Sequence, residues 1–258
     1  AVAAHADVPY ALQDISLSLA QGEHVALIGP SGAGKTTLLH TLACARQAMS
    51  GEFTAFSVSP WSMRHEQRHA LRARLFLAPQ TPPLPPRQRV VTAVLAGRLP
   101  QWGFWQAIAS LVRPREAGAA HAALARFSLQ DKLYARVDRL SGGERQRCGM
   151  ARLLLSSADA FLVDEPLSAL DPTLATQMLA VLKQEAQTRN ATLVCSLHQV
   201  ELALANFTRI IALREGRIVF DLPSAQVNAE MIAALYQNEH TALPEAAEKA
   251  PYCMGTPC

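Results

Sequence analysis

The chain has 258 residues, half of them hydrophobic and 17% charged, with a formal net charge of +3. That length buries a real core as one large domain or two modest ones, and the balance excludes a disordered chain. The small, scattered charge gives no argument for nucleic acid, and no stretch approaches the roughly 18–20 apolar residues of a membrane span.

In chain order, residues 14–19 (DISLSL) alternate apolar and polar, the pattern of a half-buried strand. Val25 to Ile28 is a short apolar run that passes directly into GPSGAGKTT and then into LLHTLA at helical spacing, giving strand, glycine-rich loop and helix. A second apolar run, Leu75 to Ala78, ends at Pro79-Gln80. Five prolines then fall within residues 79–86, a stiff extended connector. Residues 88 to 156 read as mostly helical, with loops near Leu99-Pro100 and Arg113-Pro114. Ala160 to Asp164 is a buried strand, Pro172 to Thr188 a helix, Ala191 to Leu197 a strand and His198 to Asn206 a helix. Arg209 to Arg214 and Arg217 to Asp221 flank Glu215-Gly216 as a hairpin, and a short helix runs from Ala229 to Tyr236. Strands alternating with helices predict a mainly parallel α/β sheet. Cysteines at 44, 148, 195, 253 and 258 are odd in number and scattered, as expected of reduced thiols in a cytosolic chain. No charged-then-apolar signal is visible in the sequence, and in a chain expected to be cytosolic Asn190-Ala-Thr and Asn206-Phe-Thr are expected to be coincidental matches to a glycosylation pattern.

Chemistry concentrates first at Gly29, Pro30, Ser31, Gly32, Ala33, Gly34, Lys35, Thr36 and Thr37, a phosphate-binding loop in its strand-to-helix setting. Glycines let successive N–H groups face one point, and the following helix aims its positive end there. Lys35 supplies a charge for the β- and γ-phosphates, the Thr36 hydroxyl suits Mg²⁺, and Thr37 suits the α-phosphate. Downstream, Asp164 ends an apolar strand where a carboxylate can hold Mg²⁺. Glu165 follows at once and can orient or deprotonate an attacking water. Ser141, Gly142 and Gly143 of Leu140-Ser-Gly-Gly-Glu-Arg-Gln-Arg147 open a helix far along the chain, a second terminus suited to an anion.

With these motifs in order, residues 10 to 240 resemble the ATP-binding cassette family. The resemblance implies a P-loop NTPase fold: a RecA-like parallel sheet core with an antiparallel β subdomain and an inserted helical subdomain. One ATPase domain spans 1–240, with 1–78 and 159–240 as nucleotide-binding core and 79–158 as the helical part. Residues 241–258, rich in Pro and Ala and carrying Cys253 and Cys258, read as a disordered tail. The family further implies ATP and Mg²⁺, and two copies packed head to tail so that Ser141 and Gly143 of one close the cradle of the other. Gln80 would sense Mg²⁺ and the attacking water. His198 would contact the γ-phosphate and hold Glu165, and Asp171, in Ser168-Ala-Leu-Asp171, would bridge to the partner site. The adenine contact departs from the family pattern, with Tyr10 and His5 both as candidates.

Two stretches resemble the ATP-binding subunits of phosphonate importers: Val94-Leu-Ala-Gly-Arg-Leu-Pro-Gln-Trp-Gly-Phe-Trp105 and Ser196-Leu-His-Gln-Val-Glu-Leu-Ala203. Such a subunit works at the cytoplasmic face of the membrane. Its partners are permease subunits and, indirectly, a periplasmic or extracellular binding protein, with no nucleic acid. Phosphite, hypophosphite or another small oxyanion stay open as cargo, and a soluble non-transport cassette ATPase is the alternative of another class. Trp102, Phe104 and Trp105 form an aromatic cluster open to two readings, core or permease docking.

Overall fold

The computed structural model describes residues 11–112 and 114–237. In chain order the elements are β1 (His24–Ile28), α1 (Lys35–Leu42), α2 (His65–Ala73), β2 (Leu75–Ala78), α3 (Val90–Leu95), α4 (Phe104–Val112), α5 (Ala117–Ala125) and α6 (Gly142–Leu154). There follow β3 (Ala160–Asp164), α7 (Pro172–Arg189), β4 (Thr192–Ser196), α8 (Val200–Asn206), β5 (Arg209–Arg214), β6 (Arg217–Pro223) and α9 (Ala229–Tyr236). The strands form one six-stranded sheet in the order β2-β3-β4-β1-β5-β6, parallel throughout except for the β5–β6 hairpin.

Alternate residues of the central strands feed two separate cores. Ala26, Ile28, Phe161, Val163, Leu193 and Cys195 face one side, packed on α3, α5, α6 and α7. Val25, Leu27, Leu162, Val194 and Ile211 face the other, packed on Leu38 and Leu39 of α1. Burial on both faces is why these strands read as continuous apolar runs rather than alternating ones. The larger core runs without a break from the sheet into the helices of residues 90–154.

The strand order places the functional segments. Parallel strands β2, β3, β4 and β1 end side by side. The residues that end or follow them, Gln80, Asp164-Glu165, Ser196-His198 and Gly29–Lys35, therefore meet at one carboxyl edge, the usual site of ligand binding in such sheets.

Several expectations change. Residues 14–19 form no strand. Ile15, Leu17 and Leu19 pack on the smaller core while their alternating neighbours face solvent, so the period-2 pattern marks a half-buried extended segment without a ladder. The loop expected at Leu99-Pro100 is a 3₁₀ turn, Ala96–Gln101. His198 stands two residues ahead of α8 rather than on its first turn. Helix α2, which no motif announced, precedes β2 and presents only Leu71 as a fully buried side chain. His5, Tyr10 and the 241–258 tail lie outside the described residues. Cys44, Cys148 and Cys195 are buried free thiols whose pKa values burial raises, Cys148 to about 12.

Candidate active site

The cradle begins where β1 stops. Gly29 has φ +144°, and a Cβ there would stand 2.0 Å from the Leu213 carbonyl oxygen of β5, so only glycine lets the loop leave the sheet at this point. Gly34, at φ +101°, immediately precedes α1, and a Cβ on it would meet the Ala11 carbonyl oxygen at 2.7 Å. The first turn of α1 has no side-chain cap and no acidic residue. Lys35 is 5% exposed, and its ammonium donates to the carbonyls of Gly29 at 2.6 Å and Pro30 at 3.0 Å. A buried cation, uncapped helix N–H groups and a first turn without acidic residues make a seat for a polyanion. Ser31, Gly32 and Thr36 lie on its open face, with Thr37 half-buried and Ala33 buried.

Asp164, 3% exposed, accepts two hydroxyl bonds: Thr36 Oγ1 donates to Oδ2 at 2.8 Å, and Ser196 Oγ donates to Oδ1 at 2.6 Å. One carboxylate and one hydroxyl beside a phosphate seat form the small oxygen set that suits Mg²⁺, which takes its other ligands from phosphate and water. No cluster of three or more His, Cys, Asp or Glu is found among the described residues.

Glu165 adopts φ +46°, a left-handed conformation that costs a non-glycine residue about 1–2 kcal/mol. Its carboxylate is gripped on both oxygens. Gln80 Nε2 donates to Oε2 at 2.7 Å, and His198 Nε2 lies 2.6 Å from Oε1. Its backbone is gripped as well: the N–H donates to Ser196 Oγ at 2.9 Å, and the carbonyl accepts from Gln146 Nε2 at 2.9 Å. Gln146, on α6 and 3% exposed, also accepts from the Ala169 N–H at 3.3 Å. Gln80, Asp164, Glu165, His198, Thr36 and Lys35 thus come together as one cluster.

The remaining candidates sit elsewhere. Ser141 caps α6 in a reciprocal box with Glu144, and its N–H holds the Glu144 carboxyl below the ordinary range, helped by Lys132. Gly143 packs so tightly on the 169–170 turn that a Cβ would stand 2.9 Å from the Ala169 carbonyl oxygen. Asp171 caps α7, accepting from the N–H groups of Thr173 and Leu174, both at 3.0 Å. Within one chain, the bonds and close packing of Ser141–Gly143 and Asp171 are thus to Glu144, to residues 169–170 and to the start of α7.

Sequence reasoning passed over three residues. Ser196 is a fully buried polar side chain closing a mostly apolar strand, two positions before His198. Gln146 lies one turn into α6. Tyr236, on α9, accepts from the Gly29 N–H at 3.2 Å and anchors the cradle from 207 positions away. Of the three, Ser196 gives the clearest signal, since a buried hydroxyl in such a strand requires partners.

Strand, glycine loop, helix and facing carboxylate define a P-loop nucleoside triphosphatase. The ABC transporter family profile matches residues 12–168, more than half of the chain, and the chain belongs to that family. It is accordingly an ATP-binding, ATP-hydrolysing cassette. It is 59% identical over 234 residues to the phosphonates import ATP-binding protein PhnC of Polaromonas sp., covering 91% of this chain and 84% of the relative. A Pseudomonas aeruginosa protein described in the same words as PhnC 2 is 54% identical over 235 residues, covering 91% and 88%. Among solved structures, a dimeric ATP-binding cassette in a post-hydrolysis state bound to ADP and Pi superposes with a TM-score of 0.72. It is 25% identical and covers 83% of this chain and 91% of that one. Among the described residues no helix is long and apolar enough to cross a membrane.

Proposed function

We propose that this chain hydrolyses ATP to power import of a small oxyanion, phosphonate by the names of its relatives, through a partner permease at the cytoplasmic face of the membrane. The observation that carries the hydrolytic reading is the four-way hold on Glu165 beside the Thr36–Asp164 pair. ATP phosphates seat on Gly29–Thr37, and Thr36 and Asp164, with Gln80 near them, hold Mg²⁺. The metal supplies charge neutralisation on the phosphates. Glu165 orients water or takes its proton, with Gln80 and His198 fixing both carboxylate oxygens. A second copy completes the site with its Ser141, Gly142 and Gly143, and Asp171 bridges the two.

The permease docks on the helical part, residues 79–158, against the nucleotide-binding core of 1–78 and 159–240. An apolar groove of about 260 Å³ supports this: it runs between β2, Pro82 and Pro83 of the connector, Leu99-Pro100 and α6. On α4, Phe104 and Trp105 are 71% and 79% exposed, while Trp102 packs inward on the core. The aromatic cluster therefore divides: Trp102 belongs to the core and the α4 pair to the docking face. A periplasmic or extracellular binding protein selects the cargo without touching this chain.

Glu165→Gln keeps both neighbours in hydrogen-bonding reach while removing the base. Its kcat should fall about 10²–10⁴-fold, with an ATP-bound dimer accumulating on size exclusion. Wild-type turnover in that variant would remove Glu165 from its role. Growth of a deletion strain on phosphonate, phosphite, hypophosphite or phosphate alone, restored by wild type but not by Glu165→Gln, identifies the cargo. Normal growth on all four would overturn the oxyanion reading.

A further inference from the structure

We propose that Ser196 is a positioning residue for hydrolysis, a side chain that locks Asp164 and Glu165 to each other. The proposal rests on the reading of those two carboxylates given above. Ser196 ends β4 and pairs in register with Asp164 on one side and Leu27 on the other, with no solvent exposure. The four residues before it are Thr192, Leu193, Val194 and Cys195, all buried. A valine would serve the strand at least as well. Burying a hydroxyl there costs free energy unless it is fully partnered.

Both partners are functional atoms. The hydroxyl proton goes to Asp164 Oδ1 at 2.6 Å, which turns the oxygen lone pairs toward the Glu165 N–H at 2.9 Å. One atom thereby fixes the plane of the first carboxylate and the backbone of the second. Fixing that backbone matters because Glu165 is in the left-handed region, from which an unheld chain relaxes. Rotation about the backbone would carry the carboxylate away from Gln80 and His198. The Thr36 hydroxyl, the other partner of Asp164, can either donate to the carboxylate or offer its oxygen to a cation. The Ser196 bond is needed in either case.

The test is Ser196→Ala, with Ser196→Cys as a variant of similar shape and weaker donor should the first fail to fold. Three quantities are measured on folded protein: binding of a fluorescent ADP in EDTA, Mn²⁺ affinity of the ADP-bound protein by electron paramagnetic resonance, and kcat and KM for ATP. Binding in EDTA should stay within twofold, because the Ser196 hydroxyl is committed to Asp164 Oδ1 and the Glu165 N–H. Mn²⁺ affinity and kcat should each fall about tenfold or more, with KM little changed, and Cys should fall between Ala and wild type. A purely structural serine would lower the melting temperature and leave Mn²⁺ affinity and kcat within twofold; that result overturns the proposal. Asp164→Asn runs alongside. If Asp164→Asn loses Mn²⁺ and Ser196→Ala does not, Ser196 alone is wrong. If Asp164→Asn keeps Mn²⁺, the metal reading fails and the Ser196 proposal falls with it.

Discussion

Gly149, in the middle of α6, presses against the proline connector. A Cβ built on it would stand 2.7 Å from Pro82 Cγ and 2.9 Å from Pro82 Cβ. By helix propensity alone, Gly149→Ala should stabilise the protein by about 1 kcal/mol. Carbon atoms pack best about 3.5–4.0 Å apart, so the ring must retreat by roughly 0.8 Å. A pyrrolidine has no side-chain rotation with which to do so. Pro82 is also held from behind, its carbonyl accepting from the Leu84 N–H at 2.8 Å. Overfilling a packed site costs about 1–3 kcal/mol, toward the upper end when the neighbour is rigid. The net expectation is destabilisation by about 1–2 kcal/mol, a loss of roughly 2–4 °C in melting temperature for a chain of this size. Because Gln80 lies two residues before Pro82, the shift should also draw its amide off Glu165 and lower ATPase turnover. Calorimetry and an ATPase assay on Gly149→Ala, Pro82→Ala and the double variant read both effects. Pro82→Ala should relieve part of the loss, since it removes the closer of the two atoms. A Gly149→Ala protein that melts at or above wild type and turns over normally would refute the rigid-contact argument.

Replacing Pro82, Pro83, Pro85 and Pro86 together with Ala or Ser should leave ATP hydrolysis in proteoliposomes while uptake falls several-fold; intact coupling would reduce the prolines to spacers. His24 supplies a pH test. Its Nε2 is buried with no hydrogen-bond partner among the described residues, and burial, with Lys183 nearby, lowers its pKa below 6.5. Between that lowered value and 6.5 the unfolded chain binds more protons than the folded one. Stability is therefore full above pH 6.5 and lost as pH falls through the window. His24→Val should flatten melting temperature against pH there, and an unchanged slope would assign the loss to other groups.

How much of this was legible in the sequence depends on whether a signal is local. The cradle was legible because Gly29 to Thr37 is contiguous, and its glycines are demanded by the loop's own dihedrals and by the Leu213 carbonyl. Strands β1, β3 and β4 were legible because burial on both faces leaves an unbroken apolar run. The 14–19 segment misled because a period of two reports a half-buried face and says nothing about a ladder. Helix α2 was missed because its nine residues, HEQRHALRA, are mostly polar and offer one buried anchor, Leu71. The hold on Glu165 was the least legible part. Gln80, Gln146, Ser196 and His198 lie 85, 19, 31 and 33 positions from it and are joined only by the strand order β2-β3-β4 and by α6. Motifs can name Gln80 and His198, but the backbone bonds from Ser196 and Gln146 follow from register and burial. Register sets Asp164 opposite Ser196, and complete burial obliges that hydroxyl to bond whatever polar atoms lie within reach. Those atoms belong to the two carboxylate residues on which the proposed hydrolysis depends. A serine that looks like a blemish in an apolar strand is therefore the position where the fold fixes the hydrolytic geometry.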